Sequence, residues 1–215
     1  MTIKNIVDNI AQHFGKPFDN PFKSRIKSEV LAARAEIIKQ HYNKYYSYPE
    51  SLVSQIHRLK MVTTDIAEND IVNLGVNVSK TNLEIPTPIR MSIQNSNFIY
   101  VGTLDGNRSF GWISPENFED LKYDRFLKDT IRYTYINRHI YILGDNPKNI
   151  RIRGIFADPY QVAELNGEVE EEEPQTLDIP EDFVNLIERM VIDMIQRGFV
   201  RPDSEEEIKI EERND

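Results

Sequence analysis

The sequence predicts an α+β protein: a helical hairpin or bundle core built from N-terminal and C-terminal helices, with an inserted antiparallel β subdomain and an extended acidic C-terminal tail. Three observations carry the prediction. Apolar residues recur at helical spacing before residue 48 and again between 180 and 198, the period changes to alternation between Pro49 and Asp158, and acidic residues gather at the C-terminal end. The expected divisions are 1–48 (N-terminal helices), 49–158 (a strand-rich antiparallel region with one short helix), 159–202 (short helix, acidic spacer and an amphipathic helix packing on the N-terminal helices) and 203–215 (flexible acidic tail).

In "TIKNIVDNIAQHF", Ile3, Ile6, Val7, Ile10 and Phe14 fall on one helical face, with Thr2 as N-cap and Gly15 as stop. After "GKPFDNP" comes the longest helical pattern, "FKSRIKSEVLAARAEIIKQHYNKYY", entered through Asn20 as cap and Pro21 in the first turn. Phe22, Ile26, Val30, Ala33 and Ile37 form one apolar stripe beside a second of Leu31, Ala35, Ile38, Tyr42 and Tyr45, wider than a single packing partner requires. The helix ends in "HYNKYYSYP". Its aromatic residues Tyr42, Tyr45, Tyr46 and Tyr48 either pack under the next loop or form a subunit interface, where tyrosine is enriched.

The segments "SQIHRLKMVT", "TPIRMSIQ", "NFIYVGTL", "SFGWIS", "TIRYTYIN", "RHIYILG" and "IRIRGIF" read as strands of a meander-like sheet, rich in Ile, Val, Tyr and Thr. Asp105-Gly106 and Asn137-Arg138 are tight-turn signals. Basic and apolar residues alternate in "IRIRGI" and "IRYTYI", which predicts one buried and one wet face. "SPENFEDLKYDRF" is a short helix capped by Ser114, and Pro86 and Pro88 mark a sheet edge or loop. Then follow "IFADPYQVAEL", a glutamate-rich spacer (Glu168 and Glu170 to Glu173), and "IPEDFVNLIERMVIDMIQRGF". In this last helix Phe183, Leu186, Ile187, Met190, Val191, Met194 and Ile195 follow the i, i+3, i+4, i+7 pattern, and Gly198 is its expected stop. Packing between the long helices is assigned to Ile26, Val30, Ile37, Phe183, Ile187, Met190 and Met194.

Composition narrows the chemistry. With no cysteine, disulfides, thiolate metal sites and cysteine nucleophiles are excluded. The four histidines, at 13, 41, 57 and 139, stand on separate elements without metal-ligand spacing, and no phosphate-cradling or nucleophile-elbow motif occurs. The expectation is no enzyme, no cofactor, no metal and no membrane span. Trp112 reads as a core anchor rather than a stacking platform. Lys16, Lys23, Arg25, Lys27, Arg34, Lys39 and Lys44 cluster early enough to suggest a basic helix, yet the chain carries net charge −9 and shows no nucleic-acid reader motif. Residues 166–215 hold 17 acidic and 5 basic residues, net −12, so the remainder is net +3. Such asymmetry marks an interaction segment or a solvated tail.

The order of a long basic helix, an inserted β region, "IFADPY", a spacer, "IPEDF" with its amphipathic helix and a polar tail resembles head-to-tail connector proteins of tailed bacteriophages. The closest likeness is to the adaptor or ring proteins that stack below the portal in podoviruses, including crAss-like phages. It covers 21–46 and 150–202 best. The resemblance implies a structural virion protein, assembled in the host cytoplasm, that forms a twelvefold cyclic homo-oligomer bridging portal and tail. Its partners would be further copies of itself, the portal protein, neighbouring tail rings and passing genomic DNA held without sequence-specific binding. Tyr42, Tyr45, Tyr46, Tyr48, Arg201 and Pro202 are the candidate interface residues. The competing reading is a non-catalytic acidic binding or assembly adaptor outside the virion.

Overall fold

The computed structural model describes residues 3–64, 78–91, 97–118, 130–168 and 181–199. The chain divides into two compact units, one formed by Met1–Ile37 with Pro174–Asp215 and the other by Ile38–Glu173.

In the first unit, helix α1 (Ile3–His13) buries Ile3, Ile6, Val7, Ile10 and Ala11. It closes on Gly15 at φ 67, where the Lys16 N–H donates to the Ala11 carbonyl and the Gly15 N–H to that of Gln12, a left-handed stop suited to glycine. Helix α2 (Asn20–Tyr45) is capped one residue earlier than its sequence suggests: the Asp19 carboxylate accepts from the Phe22 N–H at 2.9 Å. Phe22, Ile26, Val30, Ala33 and Ile37 are buried with the α1 face and with Val184, Ile187, Val191 and Ile195 of α5 (Glu181–Phe199). Phe183, Met190 and Met194 pack half-buried on that cluster, and Leu186 is 51% exposed. The apolar seam of α5 is thus centred on Val184, Ile187 and Val191 rather than on the methionines. Helix α5 also runs through Gly198, which does not stop it. Lys23 meets Asp8 at 2.7 Å and Asn9 meets Glu188 at 3.4 Å around the rim.

The second unit holds a seven-stranded sheet in the order β3 (Tyr100–Gly102), β7 (Asn149–Gly154), β1 (Ser54–Thr63), β2 (Val78–Thr81), β6 (His139–Leu143), β5 (Arg132–Ile136) and β4 (Gly111–Trp112). Its two outer strands are consecutive in the chain. The Phe110 N–H donates to the Val101 carbonyl while the Gly111 N–H donates to that of Ile131, so the sheet curls until the 109–112 segment links its ends. Curling encloses a separate core of Ile56, Leu59, Met61, Phe98, Val101, Tyr133, Ile140, Ile142, Ile150, Ile152 and Phe156. Helix α3 (Pro115–Phe118) follows β4. Helix α4 (Pro159–Asn166) is capped by the Asp158 carboxylate, ends on Gly167 at φ 71, and plugs the same core through Val162, with Leu165 packed against it.

These facts correct the predicted fold class. The molecule is mixed α/β, with a curled seven-stranded sheet and, among the described residues, five helices. It is not a helical hairpin or bundle core into which an antiparallel β subdomain is inserted, since the sheet has a core of its own. The sheet is also not a simple antiparallel meander, because β4 and β5 pair in parallel, Gly111 with Arg132 and Trp112 with Tyr133. Alternation located the strands but carries no information on crossovers or curvature, and curvature is what lets seven short strands bury a core of their own. The predicted strand "TPIRMSIQ" is not one over its described residues 87–91, where Pro88 makes a single bridge to Phe156, and β2 is not among the predicted strands, its four residues being too short a run to show alternation. The N-cap Thr2, residues 92–94, Glu170 to Glu173 and the tail lie outside the described residues.

Strand β1 belongs to both halves of the sheet. It pairs with β7 from Ser54 to Lys60 and with β2 from Met61 to Thr63. Between Ile56 (opposite Ile152) and Leu59 (opposite Ile150) it carries one extra residue, a β-bulge. Without it, Ile56 would share a face with Arg58 and Lys60; with it, Ile56, Leu59 and Met61 all enter the core. The edge of β1 that β2 does not reach is completed by Asn166, whose Nδ2 donates to the Gln55 carbonyl at 2.8 Å while its Oδ1 accepts from the His57 N–H at 3.1 Å. The β5–β6 hairpin turns at Asn137 (φ 49) and Arg138 (φ 64), both left-handed, as a two-residue turn matched to strand twist requires.

Two outcomes follow for stability, read by chemical denaturation. Ile187→Ala is expected to cost about 2–4 kcal/mol, as for a fully buried side chain, and Met190→Ala less than about 1.5 kcal/mol; equal losses would mean the α5 seam is centred elsewhere. Asn166→Ala should cost about 1–2 kcal/mol by stranding two backbone groups. Asn166→Asp should cost more at neutral pH, because a carboxylate then faces the Gln55 carbonyl. That clash raises the new carboxyl's pKa in the folded state, so stability is recovered as pH falls through the raised value and the carboxyl regains a donor; a loss that deepens in acid would contradict the assigned bonds.

Candidate functional site

Among the described residues no group of three histidine, aspartate or glutamate side chains is placed to hold a metal ion, and no helix is long and apolar enough to cross a membrane. His139 is engaged through Nδ1 with the Thr81 hydroxyl (3.2 Å) and carbonyl (3.0 Å), and His57 Nε2 lies 3.5 Å from the Glu168 carboxylate. Burial holds the Tyr135 phenol above its ordinary range, with Arg138 opposing. The Thr103 hydroxyl and the Asn107 N–H hold the Asp105 carboxyl below its ordinary range, which fits a turn carboxylate accepting hydrogen bonds rather than an acid–base group. Trp112 packs half-buried against the sheet core. The concentrations of chemistry lie on surfaces.

One surface is aromatic. Tyr45 ends α2, and Tyr46, at φ 53, takes the left-handed conformation that terminates it, its N–H donating to the Tyr42 carbonyl at 2.7 Å. A tyrosine held there costs about 1–2 kcal/mol relative to glycine. Yet its ring gains no burial in return, being 82% exposed, and Tyr45 is 56% exposed. The Tyr42 ring stacks on Tyr48 (6.4 Å between centroids) and meets Tyr46 edge-on (6.4 Å). His41 lies 4.8 Å from the Tyr45 ring, with its Nδ1 3.2 Å from the Ser47 carbonyl, and Lys44 sits 5.0 Å from the Tyr45 centroid. Ring contacts thus join Tyr42, Tyr46 and Tyr48, with Tyr42 and Tyr48 half-buried and Tyr46 exposed, while the neighbouring exposed Tyr45 meets His41 and Lys44. Arg201 and Pro202 lie outside the described residues. Of the helix-packing residues, Ile26, Val30, Ile37 and Ile187 are buried in the helical core, and Phe183, Met190 and Met194 flank it.

The early basic residues do not make one phosphate-binding face. Arg34 is wholly buried, Lys23 is paired with Asp8, and Lys16 lies 5.0 Å from the Phe22 ring centroid. The cations that do share a face are on the sheet. Arg151 and Arg153 alternate outward from β7, whose intervening residues are buried, and Lys60 of β1 sits opposite Asn149. Arg58 is exposed at the bulge between them. The sequence carried this signal in "IRIRG" and "HRLK", but as separate strands. Only strand pairing sets them side by side.

Two comparisons bear on identity. No curated protein matches the chain. A family model described as phage tail ring protein 2, from crAss-like phages, matches residues 5–207 and so takes in both units. The chain belongs to this family of crAss-like phage tail ring proteins, structural components of the virion tail that assemble with other tail components.

Proposed function

We propose that the chain forms a closed homo-oligomeric ring in the head-to-tail connector, bridging portal and tail and extending the channel through which genomic DNA passes, with twelve copies to match the portal. The role is structural rather than catalytic. The observation that carries the reading is the tyrosine cluster at the end of α2. Tyr46 keeps an unfavourable backbone conformation and a ring that stays 82% exposed, its one ring contact within the subunit being edge-on to Tyr42. Tyrosine presented this way supplies large, rigid contact area at low entropic cost to a neighbouring surface. Head-to-tail contacts between identical subunits close into a ring when the rotation per subunit divides a full turn.

The proposed division of labour retains the domain reading. The N-terminal helices and α5 supply the helical packing, the tyrosines at the end of α2 and the 49–158 region, with α4 packed on its core, supply subunit or ring-to-ring contacts, and 203–215 reaches a neighbouring protein. Carboxylates of the spacer, where they face the channel, would repel phosphate and keep the genome from adhering.

Native mass spectrometry of the full chain, alone and mixed with portal protein from the same genome, tests the ring directly. A closed oligomer is expected, and its mass gives the copy number; a chain that stays monomeric with portal present overturns the proposal. Tyr46→Gly separates folding from assembly. It should raise subunit stability by about 1 kcal/mol by relieving the left-handed tyrosine. It should also weaken subunit association about tenfold or more, as loss of an interface aromatic does. If assembly is unaffected by Tyr46→Gly and by Tyr45→Ala, the cluster is not the interface.

A further inference from the structure

The outward face of β3–β7–β1 is a row of cations that the subunit leaves incompletely neutralised. Arg153, between Gln55 and Tyr100 in register, has a carboxylate only 3.6 Å away in the highly exposed Glu50, and the Glu168 carboxylate lies at His57. Among the described residues no carboxylate pairs with Arg58, Lys60 or Arg151. Arg151 is the most rigidly held. Its guanidinium lies 5.3 Å from the Tyr100 ring centroid, and the backbone of the 103–108 turn closes on its other side so tightly that a methyl group at Gly106 would collide with it. Tyr100 is fixed in turn through its hydroxyl, which lies 3.1 Å from both the Thr103 and the Arg108 carbonyls. A guanidinium held this way is organised in advance for an anion, which lowers the entropic cost of binding one.

We propose that this face receives the acidic 203–215 segment of a neighbouring copy of the chain, an inference that rests on the ring reading. That segment, "DSEEEIKIEERND", holds seven carboxylates and two cations. Glu205 and Glu207 recur every second residue, as Arg151 and Arg153 do on β7, so carboxylates and guanidinium groups share one extended-chain spacing of about 6.8 Å. The sixteen residues from 200 to 215 can span up to about 53 Å when fully extended. In a ring each subunit then supplies one acidic segment and one basic face, a contact that repeats without a free partner. Nucleic acid fits the same face less well. The Tyr100 ring already carries Arg151 and is not free to stack on bases, and residues 166–215, at net −12, oppose phosphate accumulation around the subunit.

Lys60 makes the proposal testable by zero-length coupling of amines to carboxylates. Full-length chain in unlabelled and nitrogen-15 forms is mixed before assembly, coupled, and read by mass spectrometry, with native mass spectrometry of the same sample. Products joining Lys60 to Glu205, Glu206 or Glu207 of the other isotopic form are expected. They should fall at least fivefold in Arg58→Ala/Arg151→Ala and in 0.5 M salt, the approximate concentration needed to screen such contacts. Coupling only within one isotopic form, coupling of Lys60 to other carboxylates alone, or none at all overturns the proposal. So does a 20-base-pair DNA duplex that binds the wild-type chain, is lost in the double variant and suppresses coupling. A closed ring without mixed products overturns the docking and leaves the ring; mixed products in a species that never closes uphold the docking and overturn the ring.

Discussion

The bulge in β1 is the constraint on which the sheet unit depends. A ten-residue strand that pairs with β7 over one half and β2 over the other must turn, and it must do so without carrying its arginine and lysine inward. One extra residue between Ile56 and Leu59 meets both demands, because it bends the strand and shifts its side-chain phase by one. The cost is an interrupted ladder. Asn166 offsets it by offering one donor and one acceptor to the backbone around the bulge, and it can do so because Gly167 ends α4 at that point. Strand, bulge and helix end form one device, which closes the core that Val162 and Leu165 plug.

The two cores differ in how local their specification is. In the helical unit, each helix carries its own apolar stripe, and association of three such stripes needs only that they meet. In the sheet unit, the stripes are two or three residues long on most strands, too short to be stable singly. Their stability comes from closure, in which β3 and β4, adjacent in the chain and outermost in the sheet, are drawn together through Phe110 and Gly111. Interior space is tight enough that Gly102 admits no side chain beside the Arg108 carbonyl and the Tyr100 ring.

Three chemistries fall on separate parts of the sequence: exposed tyrosines at the end of α2, cations on the sheet, of which Arg58, Lys60 and Arg151 have no carboxylate partner among the described residues, and an excess of carboxylates after residue 166. Exposed aromatic and charged surface of this kind is what neighbouring subunits cover in an assembly. Part of this was legible. The tyrosines are contiguous enough to read as a cluster, and the acidic excess is visible by counting. The cationic face was not, since Arg58 and Arg151 are 93 positions apart and become neighbours only through the β1–β7 pairing. Arg34 misled in the other direction, because a charged residue on a helix reads as exposed until its surroundings are known.

By itself the sequence determined where α1, α2, α4 and α5 lie and six of the seven strands, Val78–Thr81 being the one missed, together with the turns at Asp105-Gly106 and Asn137-Arg138, the α1 stop at Gly15 and the α2 stripe from Phe22 to Ile37. These depend on periodicity and on backbone preferences within a few residues. It also carried the pattern that resembles phage ring proteins. Tertiary structure alone decided the sheet order, the parallel β4–β5 pair, the bulge, the centring of α5 on Ile187, and the fact that the sheet builds its own core. Each of those is a choice among alternatives that local propensity leaves nearly equal in energy, and only contacts between residues far apart in the chain separate them.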